Sequence, residues 1–319
     1  MATAVFPYLP ADELKKAEDE SNARELSWFL DNLQEKLAEF KHGLEDCYAR
    51  LSPLEDPESS TLVISTPKSE LVKGHVTRVG TRVVKGSLHL RLKTLPSLHL
   101  KLSETSPLIL PQLSHLRTLL NNALDCVDIT RWTGDRHSAA FITSQLHLLH
   151  SLLLEAQNVL TGPSFPVPRP GTPHPLPIAS RTSGEDGNEH NPPWYQCIPD
   201  PNTFAPPVPE NLSLHLIPTT SSLILTIRVL EPTAVPPSAF NKFALAIGAQ
   251  RRLEHDEMDG VFMWKGEEVK VKEKVRVESG GDPVLLVLGV KLQSLEKGIE
   301  GAMMSLRAVM GLSQEKDDD

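Results

Sequence analysis

The chain has 319 residues, 39% hydrophobic and 23% charged, enough for one large or two smaller globular domains with a real core. A formal net charge of -9 argues against general nucleic-acid binding, which relies on clustered Lys and Arg to meet phosphates. The three cysteines, Cys47, Cys126 and Cys197, lie far apart, match no zinc or redox spacing and read as reduced thiols.

The first residues show no charged-then-apolar signal pattern. The longest purely apolar run, Val284 to Leu288, is too short to cross a bilayer, so a soluble cytosolic protein is expected. Residues 1–11, with Pro7 and Pro10, read as a frayed start. A helix is predicted from about Asp12 to Leu51. Its apolar positions Leu26, Leu30, Leu33, Leu37, Phe40, Leu44, Cys47 and Leu51 alternate steps of 4 and 3, a seam nearly four heptads long. Charged and amide residues fill the positions between, so the helix has one sticky stripe and needs partner helices. Ser52-Pro53 stops it, and Leu54 to Ser60 reads as an acidic linker.

From Thr61 the period changes to 2. Leu62 to Ile64, Leu71 to Thr77, Val83 to Lys93 and Leu98 to Leu102 read as strands of an antiparallel meander with one wet face. After Pro107 and Pro111 the helical period returns in Leu113, Leu116, Leu120, Ala123 and Val127. Trp132 to Asp135 interrupts it, and a further seam runs from Ile142 to Val159 before Gly162-Pro163. Residues 162–210 hold fourteen of the 27 prolines and read as a disordered insert, with a polyproline docking segment as the alternative.

Strands are predicted again at Leu212 to Leu216 and Leu223 to Val229, with a short helix around Phe240 to Ala249. Phe262-Met263-Trp264 then leads to a strand whose valines alternate with Lys270, Lys272, Lys274 and Arg276. A last seam, Leu288, Leu292, Leu295, Ile299, Ala302, Leu306 and Val309, ends at Gly311 before an acidic tail, 313–319. The order of elements predicts an α+β protein. A discontinuous antiparallel helical bundle takes 12–52, 108–161 and 283–312, and an inserted antiparallel β domain takes 60–105 and 211–281.

Candidate chemistry is sparse. His147 and His150 stand one helical turn apart but lack further ligands, and read as a surface or seam-flanking pair rather than a metal site. Leu-His-Leu recurs at 88–90, 98–100 and 214–216; these histidines read as outward strand positions, with pH sensing as the alternative. No nucleophile elbow, Walker loop or dinucleotide loop occurs; Gly43, Gly74, Gly80 and Gly86 read as isolated turn or strand glycines. No catalytic residue, cofactor or metal is assigned. Residues 12–51 hold eleven acids against six bases, and residues 60–105 hold eight bases against two acids. Lys270, Lys272, Lys274 and Arg276 add a basic stripe on one strand face. It reads either as a solvated or lysine-protected edge or as a docking stripe for an acidic protein surface or anionic lipid.

Several stretches, in order, resemble the Rogdi family of leucine-zipper proteins, which includes the small subunit of the fungal RAVE complex. They are Glu25-Leu26-Ser27-Trp28-Phe29-Leu30, Leu71-Val72-Lys73-Gly74-His75-Val76, Phe204-Ala205-Pro206-Pro207-Val208-Pro209 running into Leu212 to Leu216, and Phe262-Met263-Trp264 followed by Leu288-Gly289-Val290-Lys291-Leu292. Together they span most of residues 24–302; the Pro-rich insert and the Asp tail depart from the family. The resemblance implies a helical and a β domain and a non-enzymatic role in assembly of the vacuolar-type proton-pumping ATPase. It implies three partners: a large propeller-bearing RAVE subunit, a Skp1-type adaptor and the sectors of the ATPase. It also implies a cytoplasmic protein recruited peripherally to vacuolar or endosomal membranes. With its seams satisfied internally the chain is expected to be monomeric. The alternative is a coiled-coil scaffold that self-associates through them, unrelated to the pump.

Overall fold

The computed structural model describes residues 10–52, 59–67, 69–161, 193–233 and 254–311. The expected frayed start, most of the acidic linker, the Pro-rich residues 162–192, the short helix at 240–249 and the acidic tail lie outside them. The order is α1 (Ala11–Arg50), β1 (Ser59–Ser65), β2 (Val72–Val79), β3 (Arg82–Leu90), β4 (Leu98–Leu102), β5 (Leu108–Ile109), α2 (Pro111–Asp128) and α3 (Ala139–Thr161). Then come β6 (Phe204–Ala205), β7 (Leu212–Pro218), β8 (Leu223–Pro232), β9 (Val261–Trp264), β10 (Glu267–Glu278) and α4 (Pro283–Val309). The fold is α+β, with the strands inserted between helices. Two compact units result: residues 1–49, 118–157 and 290–319, and residues 50–117 and 158–289. α2, α3 and α4 each give residues to both units.

The first unit is helical. Leu30, Leu33 and Leu37 of the α1 seam are 1–2% exposed, and Leu44 and Cys47 are fully buried. Their partners can be read from pairs along the seam. Phe40 fits where Gly298 has no side chain, a Cβ there lying 2.8 Å from its ring; Leu295 fits in the same way over Gly43. Asp46 takes Lys291 as an ion-pair partner. Numbers rise on α1 as they fall on α4, so the two helices are antiparallel. α4 also runs antiparallel to α3, since Thr143 Oγ1 donates to Met310 Sδ and Gln157 Nε2 donates to the Leu292 carbonyl. α2 turns into α3 through a π turn, Ile129–Thr133, where Gly134 N–H donates to Ile129 O at 2.8 Å. Lys41 bonds Asp128 at 2.6 Å, fixing the end of α2 beside α1. Gly43 is thus a helix-interior contact point, not the turn or strand glycine expected.

The second unit holds two antiparallel sheets face to face. The first has the order β1-β2-β3-β4-β6, with β5 also on β3; the second is β7-β8-β10-β9. Burial alternates strictly in β1 (Ser60, Leu62 and Ile64 in; Thr61 and Val63 out). β8 is different: its first eight residues are all buried, because both faces of the second sheet are covered. The inner faces meet over an apolar cavity lined by Ile64, Val76, Leu88, Leu102, Leu214 and Leu225 among others. The sheets join where Gly280 N–H donates to Val63 O at 2.8 Å.

One expectation is corrected in this unit. The stretch expected as a disordered insert reaches 210, but its described end is folded. Trp194 is 7% exposed, Phe204 is buried, and β6 pairs with β4 through Lys101↔Ala205 and Leu102↔Phe204. The aromatic side chains supply apolar area that proline density alone conceals.

Leu37→Ala is expected to destabilise the protein by about 2–5 kcal/mol, the cost of emptying a buried leucine site. Urea denaturation followed by circular dichroism measures it; a change near zero would place the seam in solvent.

Candidate functional site

The four basic residues expected to form one stripe do not share a face. β10 carries a one-residue irregularity between Val271 and Glu273: Val271 pairs with Leu230, and Glu273 pairs with Val229. Leu230 and Val229 are consecutive, so they point to opposite sides, and the extra residue in β10 switches its faces. Lys270 pairs with Glu231 on one side, while Lys274 and Arg276, opposite Arg228 and Thr226, lie on the other. Lys272, at the irregularity, is 3.9 Å from Glu231. Lys270, Lys272 and Arg276 are exposed. Lys274 is not: its side chain is 13% exposed and its Nζ donates to Asp256 at 2.7 Å and Glu257 at 2.8 Å. Equal spacing in sequence hides such an insertion, so the stripe could not be tested without the register.

The switch puts Glu273 on the inner face. Its carboxylate, in a residue 4% exposed, accepts from Lys93 N–H at 3.0 Å, Thr94 N–H at 2.9 Å and Thr94 Oγ1 at 2.7 Å. It therefore anchors the β3–β4 turn of the first sheet to the second. On the outer face, Arg228 holds Glu257 with two bonds, 2.6 Å from Nε and 2.9 Å from NH2, and its guanidinium lies 4.6 Å over the Trp194 ring. Trp194, Tyr195, Phe262 and Trp264 then pack over Leu230, Val269 and Val271. Burial would raise the Glu257 carboxyl, but the donors of Arg228 and Lys274 outweigh it and hold it below its ordinary value.

The histidines separate in the same way. His89 and His99 lie on the outer face of the first sheet, bonded to Ser97 and Ser87 at 2.9 and 2.8 Å. His215 does not point to water as expected; it is 9% exposed on the covered outer face of the second sheet. Burial, reinforced by the Arg228 cation and partly opposed by Glu257, pushes its imidazole down to about 4. His150 Nε2 meets Glu296 at 3.1 Å, and His147 Nε2 meets Arg307 at 3.4 Å, so the two bond to α4 side chains separately. Among the described residues no group of three His, Cys, Asp or Glu side chains could hold a metal ion.

The most deeply buried charges were not singled out from sequence. Arg78 of β2 and Asp282, just before α4, are both fully buried; Arg78 Nε donates to Oδ2 at 2.6 Å and NH2 to Oδ1 at 3.0 Å. Asp282 Oδ1 also accepts from Ser60 Oγ at 2.9 Å and from the N–H groups of Val284 at 3.0 Å and Leu285 at 3.3 Å. Asp282 is thus the N-cap of α4, with Pro283 at the first helical position. Burial raises its carboxyl, but Arg78, Ser60 and the Leu285 N–H hold it below the ordinary value. An Asp-Pro before an apolar seam is a legible cap signal. That the cap doubles as the counter-ion of an arginine 204 residues away is not.

These sites are structural anchors and surfaces; none brings a nucleophile, a base and an oxyanion donor together. Among the described residues no helix is long and apolar enough to cross a membrane. The protein is thus an α+β chain of packed units. Residues 25–307 match the model of the Rogdi leucine zipper containing protein family, and the chain belongs to that family. It is 24% identical over 296 residues to the "Regulator of V-ATPase in vacuolar membrane protein 2" of Schizosaccharomyces pombe, covering 90% of this chain and 93% of that protein.

Two outcomes follow from the charges. Lys274→Glu is expected to lower stability by about 1–3 kcal/mol, since it sets a third carboxylate beside Asp256 and Glu257. Lys270→Glu, at an exposed position, should stay within about 0.5 kcal/mol. Urea melts of the two variants compare them, and equal effects would contradict the face switch.

The second outcome is a pH dependence. An unfolded His215 titrates near 6.5 and the folded one at about 4, so the unfolded chain binds the extra proton first as pH falls. Stability is full above pH 6.5 and declines towards about pH 4, by at most about 3 kcal/mol. Asp256, Glu257 and Asp282, all lowered, add losses only as pH falls below their unfolded values near 4. His215→Gln should flatten the decline between pH 6.5 and 4.5 in urea melts.

Proposed function

We propose that this chain is a non-catalytic subunit of a RAVE-like complex that promotes assembly and reassembly of the vacuolar-type proton-pumping ATPase. One observation carries the reading: the match to a protein named as a regulator of that ATPase is end to end, over 90% of one chain and 93% of the other. Its proposed partners are a large propeller-bearing subunit, a Skp1-type adaptor and the ATPase sectors. A chain whose described helices do not span a bilayer would reach the vacuolar or endosomal membrane peripherally, from the cytoplasm. An adaptor needs unlike surfaces, and the acidic α1 of one unit and the basic β1–β4 region of the other supply them.

Loss of the gene is expected to raise vacuolar pH and to leave more of the ATPase's catalytic sector in the cytosol after glucose withdrawal and return. Fractionation of the sectors and a vacuolar pH dye measure both; normal assembly and normal acidification would overturn the assignment.

Self-association through the zipper seam has less support. The α1 seam leucines Leu30, Leu33, Leu37 and Leu44 are already buried inside one copy, so exposing them for a partner would first open the helical unit. Size-exclusion chromatography with light scattering should report a monomer; a stable dimer would favour the zipper reading instead.

A further inference from the structure

The outer face of the first sheet is open, and its side chains form a consistent pattern. The register places Thr61, Val63 and Ser65 of β1 on it, with Lys73, His75 and Thr77 of β2 beside them. Lys85, Ser87 and His89 of β3 and His99 and Lys101 of β4 continue the same side. Arg82 lies there with its pairing partner Ile109, and Arg91 follows His89 outward. The face thus carries five cations: Lys73, Arg82, Lys85, Arg91 and Lys101. Among the described residues one carboxylate pairs with them: Glu70 takes both Lys73, at 2.5 Å, and Arg91, at 2.6 Å. Arg82, Lys85 and Lys101 are exposed and have no ion pair among the described residues.

This distribution is unusual for a chain of net charge -9. Residues 60–105 hold eight bases against two acids, so the positive charge is concentrated in this part of the chain rather than general. The cations are also spread over the strands instead of converging. The cavity in this unit opens between the sheets, on the opposite side of the same strands, and is apolar. A peptide ligand needs a groove or pockets for its side chains, whereas a layer of anionic head groups needs only distributed cations and donors. Two exposed apolar side chains on the same face, Val63 at 61% and Ile109 at 55%, suit the boundary of such a layer.

We infer that the outer face of the β1–β5 sheet is a docking surface for anionic phospholipid head groups. Lys85, Lys101 and Arg82 supply the unpaired charge, and the Ser and Thr hydroxyls and the histidine rings supply further polar contacts. The face covers roughly 15–20 Å across its four strand positions at their normal spacing, enough for more than one head group. This goes beyond the proton-pump reading and does not depend on it, because the test needs only the protein and lipid.

The purified full chain is sedimented with phosphatidylcholine vesicles, and with the same vesicles containing about one-fifth phosphatidylserine. Binding is expected only to the anionic vesicles, and raising the salt from about 0.05 to 0.2 M should weaken it several-fold as screening increases. The triple variant Arg82→Glu, Lys85→Glu, Lys101→Glu should lose about tenfold or more of the association with an unchanged melting curve. If it melts early, the milder pair Lys85→Gln and Lys101→Gln is used and should lose a smaller part of the same binding. Lys270→Glu with Lys272→Glu, on the second sheet, should bind as the unaltered chain does. Equal binding to neutral vesicles, no binding to either, or binding that survives the triple variant would overturn the inference. Retention on immobilised polyglutamate without binding to anionic vesicles would also overturn it, and would assign the face to an acidic polypeptide.

Discussion

The second unit depends on the buried pair of Arg78 and Asp282. Two charges at zero exposure are costly to desolvate, and the cost is offset only because nearly every donor and acceptor is used. Arg78 NH1, left over from the carboxylate, donates to Gly80 O at 2.6 Å. Asp282 meets Ser60, Arg78 and two helix N–H groups, and its own N–H donates to Ser221 O at 2.6 Å. The carboxylate thus ties β1, β2 and the first turn of α4, and the backbone N–H of the same residue adds the β7–β8 turn. Removal of either partner would strand the other charge in the interior, which is why such pairs are costly to break even when they add little net stability.

The same economy recurs at Glu273 and Glu257. Each is a carboxylate on a strand or loop of the second sheet that binds a segment distant in sequence: the β3–β4 turn for Glu273, and Arg228 with Lys274 for Glu257. Glu273 holds a turn whose backbone N–H groups an apolar contact would leave unpaired, and Glu257 neutralises two cations on the covered face of its sheet. The acidic composition is therefore partly consumed inside the fold. The charge that remains outside is uneven, with a cationic sheet face on a chain that is anionic as a whole.

The zipper of the family's description acquires a particular meaning in this chain. A seam nearly four heptads long is the pattern of a two-stranded coiled coil, but the same pattern fits one helix of a four-helix unit. Gly43 and Gly298 decide between these by local geometry, since each lets a bulky neighbour from the other helix approach where a side chain would collide. The seam is satisfied within one copy.

Periodicity alone determined most element types among the described residues. Steps of 3 and 4 marked α1 to α4, and alternation marked β1 to β4, β7, β8 and β10, because a face that meets an apolar core imposes those periods on a sequence. The Asp-Pro cap of α4 was equally local. Register, faces and distant pairing were decided only in three dimensions. A single extra residue in β10 sent Lys270 and Lys274 to opposite sides, and no spacing rule reveals which strand pair absorbs an insertion. His215 shares its Leu-His-Leu setting with His89 and His99 yet is buried, because a second layer covers its sheet face and leaves theirs open. Arg78 looks like any strand arginine until the fold brings Asp282 to it. Local chemistry sets the period of a chain; the neighbour across a sheet, and the charge it carries, is fixed only when distant segments meet.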